Sequence, residues 1–484
     1  MYHGYGAVFV QGRWKEGAGC GELLVYNPGD GSTIGAFRKA SSSDALEVLE
    51  SACKAFRTWR NTSEYVRAEI LNAIADKIES CIDDGARMIS LENGKILAQA
   101  RNEWLSAAKQ FRWYAGEALR LYGRVIPTSA CDTTVQLVYA PIGVCLAITP
   151  WNFPVSLISR KIAPAIAAGC TSIVCPSHET PGSAMLLFDC IRKAGVPSGI
   201  VSLLIGDIKD TYRTLINSTE VRKVSFTGSI GVGKQILQDC AQDIKRVSME
   251  LGGNAPVIVF DDTDIETSLA LAVARKHVNA GQVCIAPDRF YIHSKIYEEF
   301  VDRYVECVNR LTIGYGLCNS APDMGPVITK QRLSVLENIA RHSVNKDGGE
   351  LRSGGSPIEV PGYSEGYYFS PTVITGLSDN ALAIASENFG PISAFSSFDD
   401  EEEVLYRANA VPHGLAAYIF TSNYTRIQNS LRMLAAGMIG INTFNISMTA
   451  APFGGVKHSG MGREGGAEGI HEYCDTKYAC STIL

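Results

Sequence analysis

What the 484-residue chain lacks narrows its function before any motif is considered. It has no apolar run approaching the ~18 residues of a membrane-spanning helix, so no membrane partner is expected. The start, "MYHGYGAVFVQGRW", has no basic segment leading into an apolar stretch, so no secretory leader is expected either. No block of one charge is present, and the net charge of −6 argues against a nucleic-acid partner and for a cytoplasmic location. The fourteen cysteines are scattered. Even the closest pairs, Cys170/Cys175 and Cys474/Cys480, lack C-x-x-C spacing. Zinc knuckles, other metal sites and dithiol redox pairs are therefore not expected, and the thiols read as reduced. Short-period repeats and low-complexity linkers are missing too. What remains is an ordinary globular composition, 46% apolar and 19% charged, in a chain too long for one core.

Patterning then divides the chain. Residues 44–60 carry apolar residues at helical spacing, with Asp44 as a candidate cap. Residues 63–95 read as two helices and 98–123 as a third, whose aromatics read as core. At 124–140 the period changes to two, the mark of a β-hairpin. From 141 onward short apolar strands alternate with helices (154–168, 182–194, 208–217, 231–242), which predicts parallel sheets covered on both faces. The alternation restarts after 262 and continues to about 445. The closing "YCDTKYACSTIL" reads as a strand with no place in either α/β unit, and pairing with the 124–140 hairpin in a separate sheet is expected.

Several segments carry groups suited to chemistry. Cys284, in "NAGQVCIAPDRF", occupies a polar, glycine-containing turn rather than apolar packing, where a structural cysteine belongs. "SFTGSIGVGKQI" follows a strand and opens a helix; Gly228, Gly231 and Gly233 permit close approach of a phosphate to free N–H groups, or simply make a tight turn. Asn152 in "TPWNFP" is either a turn residue or an oxyanion donor at the carboxyl end of a strand. Glu250 in "MELGGNAP" lies between apolar neighbours that would desolvate it and raise it towards general-base range. Glu387 in "SENFGP" is a second isolated carboxylate in a turn.

In order along the chain, "TPWNFP", "SFTGS", "MELGGNAP", "NAGQVC", "ENFGP" and "APFGGVKHSGMGRE" closely resemble the motifs of the aldehyde dehydrogenase superfamily. Within it, "GRVIP", "ELGGNAP" and "SGMGREGGAEGIHEYCDTKY" are similar to the succinate-semialdehyde dehydrogenases. The resemblance implies an α/β fold: a Rossmann-like dinucleotide-binding domain at 1–123 and 141–250, an α/β catalytic domain at 251–445, and a small oligomerisation sheet with the C-terminal segment at 124–140 and 446–484. It implies NAD(P)-dependent oxidation of an aldehyde to a carboxylic acid by a homodimer or a dimer of dimers. Cys284 would form a thiohemiacetal and, after hydride transfer, a thioester. Asn152 and the Cys284 backbone N–H would hold the oxyanion, Glu250 would activate the hydrolytic water, and Lys161 would sit near the oxyanion and the proton path. The cofactor would contact Thr149, Pro150, Trp151, Ser177, His178, Gly228, Ser229, Gly233, Leu251, Glu387 and Phe389.

The departures from the family pattern are equally specific. Where a ribose-binding lysine is usual stands Cys175, with His178 in place of the usual Glu or Ser; this favours NAD, with NADP as the alternative. Of the clamp expected for a distal carboxylate, Arg160 and Ser447 are present, while the second arginine position is Val278, next to His277. A small anionic aldehyde is expected, succinate semialdehyde first and another semialdehyde or a phosphonate or sulfonate aldehyde as alternatives. A CoA-acylating reaction is the less favoured alternative, since it would not need Glu250. Ala286 replaces the second, redox-switch cysteine, so no local disulfide is expected to gate the site.

Overall fold

The computed structural model describes residues 2, 4–206, 208–318 and 321–483. Among these, the strands fall into two large sheets and two small ones. The first large sheet runs in the order Gly460–Met461, Arg246–Glu250, Val221–Thr227, Val144–Thr149, Thr171–Pro176, Val201–Leu204, Val8–Val10, Arg13–Lys15. Its five inner strands, from Arg246–Glu250 to Val201–Leu204, are parallel. The second runs Glu350–Ser353, Thr372–Thr375, Ile392–Phe398, Pro287–His293, Ala255–Val259, Ala416–Phe420, Met438–Ile441 and is parallel except at its first strand. Strands such as Ala255–Val259 and Pro287–His293 are buried at every position, as a sheet covered on both faces requires.

The stretch Arg246–Val259 forms two strands, one in each sheet. The chain passes between the sheets at 251–254, and this link is pressed against the turn that carries Cys284. A Cβ at Gly253 would lie 2.2 Å from the Cys284 carbonyl oxygen. Only glycine permits that approach, so the segment that ends in Glu250 and the turn that ends in Cys284 are brought together by backbone contact.

The helices Glu64–Ser80, Ile82–Asn93 and Leu97–Arg120 match the expected three. Trp104, Phe111 and Tyr114 on the last of them are fully buried, with the Trp104 indole donating to the Ile78 carbonyl at 2.7 Å. The hairpin strands Arg124–Ile126 and Thr133–Pro141 pair with Cys474–Thr482 in a separate antiparallel sheet. That sheet is well exposed, with Val125 at 67% and Tyr478 at 68%.

Three expectations need correction, and the stretch before residue 44, for which no element is expected, adds strands: Val8–Val10 and Arg13–Lys15 extend the first sheet and Glu22–Tyr26 pairs with Thr33–Arg38. Asp44 is not the cap: Ser41 caps the helix Ser42–Trp59, and Asp44 is the reciprocal third-position partner of a capping box. The 208–217 segment begins as a π-helical turn, Ile208–Tyr212, before becoming α-helical at Arg213–Ile216. The C-terminal segment does not stay with the small sheet: Gly460–Met461 joins the first large sheet antiparallel to Met249 and Glu250.

A buried ion pair brackets the Cys284 turn. Lys276, at the end of the helix Ile265–Lys276, donates to Asp288, in the strand Pro287–His293, at 2.5 Å. Both groups are buried. Removing one partner strands the other charge, at a cost of about 3–5 kcal/mol, whereas removing both is much less costly. Lys276→Met is therefore expected to lower the urea midpoint markedly, and Lys276→Met combined with Asp288→Leu to recover most of the loss.

Candidate active site

The Cys284 turn has a backbone that ordinary packing does not favour. After the helix Ile265–Lys276, residues Asn279, Ala280 and Gly281 take successive φ values of 51°, 54° and 73°. Left-handed geometry at two non-glycine residues costs on the order of 1–2 kcal/mol each. Gly281 is obligatory for space as well, since a Cβ there would lie 2.2 Å from the Gly390 carbonyl oxygen. The turn is held by buried amides. Gln282 donates to the Asn279 carbonyl at 2.9 Å and accepts from the Ile328 N–H at 3.0 Å. Asn152 donates to the Gln282 carbonyl at 3.1 Å, and Asn279 donates back to the Asn152 carbonyl at 3.1 Å. Lys95, paired with Glu103, donates to the same Asn152 carbonyl at 2.9 Å.

This lattice places the partly exposed Cys284 between two cavities. One, of about 280 Å³, is walled by Trp151, Gly228, Ser229, Glu250, Glu387 and Phe389, with Pro150, Leu251 and Arg332 completing it. The other, of about 430 Å³, contains Arg160, Arg275, Gln99, Asn445 and Ser447. Among the described residues only Phe153, Leu157, Phe453 and Cys284 border both. The thiol is therefore the one reactive group common to the two.

The first cavity lies at the carboxyl ends of the first sheet's strands. Ser229 caps the helix Ile230–Ala241, and Gly228 is needed at the turn because a Cβ would lie 2.4 Å from the Phe226 ring. Trp151 and Phe389 meet edge to face at 5.6 Å. Arg332 donates to the Phe389 carbonyl at 3.2 Å and to the Asn388 carbonyl, holding that loop although Phe389 has a φ of 44°. Gly233 lies outside the cavity: a Cβ there would lie 2.5 Å from the Leu251 side chain, so it serves helix packing rather than contact. Thr149 is buried at its strand end with an unpartnered hydroxyl. Ser177 and His178 follow the strand Thr171–Pro176 outside the cavity walls, and both point to Glu179. Burial pushes the Cys175 thiol up to about 12, so it carries no charge there.

In the second cavity Arg160 donates to the Ser447 hydroxyl at 2.6 Å and lies 4.3 Å from the centre of the Phe453 ring. Lys161, one residue on, faces elsewhere. It donates to Ser225 at 3.1 Å and pairs with Glu464, lining neither cavity. Of the position expected near the oxyanion and the proton path, Lys161 thus takes the side of the base, close enough to Glu250 to act on its carboxyl.

The charges around the thiol are unbalanced. Both carboxyl oxygens of Glu250 are buried without a hydrogen-bond partner. Burial, then the neighbouring Glu464, hold its carboxyl well above the usual range against the pull of Lys161 and Arg160. Cys284 is pushed up to about 12 by burial and then by Glu250 and Glu387, with Arg160 and Arg275 opposing. The resting thiol therefore keeps its proton at neutral pH and needs a base to become a nucleophile. Glu387 is raised to about 7 by burial, against the Gly253 N–H donated to it at 3.1 Å.

Four residues of these sites escape a reading of the sequence. Glu464 sits inside "SGMGRE", yet nothing local marks it as facing the cavity that holds Glu250. Arg332 and Arg275 lie on helices where exposed charges are common. Glu179 had a usable signal, an acidic residue just past a strand of a nucleotide-binding sheet.

A cleft at strand ends, a helix N-terminus at its mouth and a thiol shared with a cationic pocket together define a dinucleotide-dependent enzyme of covalent thiol chemistry. The chain belongs to the aldehyde dehydrogenase family, whose model matches residues 14–479. It is 39% identical over 472 residues to a glutarate-semialdehyde dehydrogenase of Pseudomonas aeruginosa, covering 98% of this chain and 96% of that protein. It is also 39% identical over 472 residues to an NADP(+) succinate-semialdehyde dehydrogenase of Escherichia coli, covering 97% and 96%. The crystal structure of a succinate-semialdehyde dehydrogenase from Burkholderia pseudomallei superposes with a TM-score of 0.95 at 37% identity, covering 99% of this chain and 98% of that one.

A carboxyl group raised to about 7 is ionised above that pH and protonated below it. A dinucleotide whose ribose hydroxyls donate to the ionised form would have an affinity, measured as 1/Kd, expected to fall by about tenfold per unit as pH drops below about 7. Glu387→Gln should lower the plateau and abolish that limb.

Proposed function

We propose that this enzyme oxidises a short aldehyde bearing a distal anionic group to the carboxylic acid, using NAD(P), with succinate semialdehyde as the first substrate to test. One observation carries the reading: Cys284 borders both cavities while Glu250, in the first of them, has both carboxyl oxygens free. The first cavity suits a dinucleotide. Gly228 and Ser229 open a twelve-residue helix whose leading N–H groups suit a pyrophosphate, and Glu387 and Phe389 stand where a ribose and its ring would lie. When bound, the dinucleotide supplies the hydride acceptor.

The chain's own groups perform the remaining steps. Glu250, once ionised, takes the thiol proton of Cys284. The sulfur bonds to the aldehyde carbon, and the resulting oxyanion receives the free Asn152 amide hydrogen and the Cys284 backbone N–H. One such donor is worth about 3–4 kcal/mol of barrier. The C=O bond re-forms as the hydride leaves that carbon, and a thioester remains on Cys284. Glu250 passes the thiol's proton to solvent, the proton that the net oxidation releases, and then removes a proton from water, whose oxygen attacks the thioester carbon; that second proton returns to the sulfur as it leaves. The C–S bond breaks, the acid departs and the thiol is restored. Lys161 and Glu464 act behind Glu250 by setting its charge.

Arg160 and Ser447 support an anionic substrate. So do the relatives' printed names, succinate- and glutarate-semialdehyde dehydrogenase. Glutarate semialdehyde and phosphonate or sulfonate aldehydes are the alternatives; CoA acylation is disfavoured by the presence of Glu250. NAD is the proposed preference, despite the NADP(+) in the name of the Escherichia coli relative. Cys175 brings no cation to the end of the strand Thr171–Pro176, and Glu179 brings a carboxylate that repels a 2′-phosphate. The exposed sheet of Arg124–Ile126, Thr133–Pro141 and Cys474–Thr482 is the proposed subunit contact of a dimer or a dimer of dimers. The unbridged, closely packed Cys145, Cys170 and Cys474 suit a reducing compartment such as the cytoplasm.

Cys284→Ala should abolish aldehyde oxidation while retaining dinucleotide binding. Glu250→Gln should lower turnover at least about a hundredfold and slow the first formation of reduced dinucleotide as well, because the same carboxylate serves the thiol and the water. Steady turnover by Cys284→Ala would refute the mechanism. Glu179→Gln is expected to raise kcat/KM with NADP relative to NAD by about tenfold or more.

A further inference from the structure

We infer that Arg275 is the second cation of the substrate pocket and, with Arg160, selects aldehydes that end in a carboxylate. The inference rests on the proposed dehydrogenase reading and refines its substrate class. At Val278, the position at which the family resemblance implies a second arginine, the pocket wall is apolar. His277 supplies no charge: its Nδ1 bonds to the Val273 carbonyl at 2.8 Å, and burial pulls the ring down to about 4, so it is neutral. Arg275 precedes Val278 by three residues, in the last turn of the helix Ile265–Lys276. Val278 lies just past the helix end, and both residues line the same cavity.

Both guanidinium groups are poised for an external anion. The Nε atoms of Arg160 and Arg275 are buried and have no hydrogen-bond partner. Among the described residues no carboxylate forms an ion pair with either. The acid nearest to hand in the cavity wall, Glu103, is already paired with Lys95. Arg275 lies against the Tyr418 hydroxyl, which is itself anchored to the Ile285 carbonyl at 2.7 Å. Gln99 has its carbonyl occupied by the Asn279 N–H at 2.9 Å, so its amide hydrogens remain to donate. A cavity of about 430 Å³ with two guanidinium groups that form no ion pair with an acid of its wall is completed by an anion. Planar guanidinium forks match a carboxylate edge to edge. Because Cys284 borders the same cavity, the carboxylate and the reacting carbonyl must lie only a few bonds apart.

The test compares succinate semialdehyde with butanal, a neutral aldehyde of equal length, in the full-length enzyme. The ratio of their kcat/KM values is expected to drop at least about thirtyfold in Arg275→Met, mostly through KM for the anionic aldehyde. Arg275→Lys should show an intermediate ratio. Arg275→Met combined with Val278→Arg should regain much of the preference, because it returns the cation to the same cavity. A readout independent of turnover is protection of Cys284 from iodoacetamide by succinate, which Arg275→Met should weaken. An unchanged ratio, or equal losses for both aldehydes, would overturn the assignment, the latter showing a positioning role only. Phosphonoacetaldehyde preferred over succinate semialdehyde by tenfold would overturn the choice of carboxylate. Wild-type enzyme that oxidises none of the three would instead overturn the dehydrogenase reading itself.

Discussion

The structure depends on a backbone turn that is unfavourable in isolation and is made stable by buried amide hydrogen bonds. Asn279 and Ala280 occupy left-handed geometry, and Gly281 lies too close to the Gly390 carbonyl for any side chain. Gln282, Asn152 and Asn279 meet the cost by satisfying one another's carbonyls. Each of these bonds is shielded from water, and leaving any one unmade would strand a buried polar group. The nucleophile's position therefore follows from a network that spans residues distant in sequence, with Asn152 from the first sheet and Gln282 from the second region of the chain. The Cys284 turn and the Asn152 side chain are fixed relative to each other because the same amides hold both.

The second constraint is electrostatic. Glu250, Glu387 and Glu464 all line the first cavity, and the thiol borders it beside them. The compensation comes from further away, through Lys161 behind Glu250 and the arginines of the second cavity. Such an arrangement lowers stability, since burying carboxyls is costly unless they are paired. It also sets the chemistry: burial holds the Glu387 carboxyl near 7 and the Glu250 carboxyl well above the usual range, and the thiol is kept protonated until a base acts. Strained geometry and raised acidity constants occur together here, and both are signs of a site shaped by function rather than by packing.

Much of this was legible along the chain. The strand–helix alternation, the period-two hairpin and the orphan final strand led to the correct sheets because burial on one or both faces writes itself into local periodicity. Cys284 stood out as a thiol in a glycine-containing turn, and Asn152 and Glu250 as polar groups at strand ends. Other features were hidden for physical reasons. Ser41 looked no more like a cap than Asp44 until the reciprocal hydrogen bonds were formed. The strands at 8–38 are short and partly exposed, so their periodicity is brief. Arg332 and Arg275 look like surface charges because nothing local reports which helix face meets a cavity.

The amino-acid order by itself determined the classes of element, the alternation that builds parallel sheets, the glycines that permit close backbone approach, and the set of groups able to act as nucleophile, base and donor. These properties are local, and a residue carries them wherever it lands. Only the tertiary structure decided that the thiol borders two cavities, that Lys161 turns away to Glu464, that Gly233 packs on Leu251 and that Arg275 enters the pocket beside Arg160. Contacts of this kind join segments separated by a hundred residues or more. Their geometry comes from how two twisted sheets and their covering helices close on one another, which no local pattern specifies.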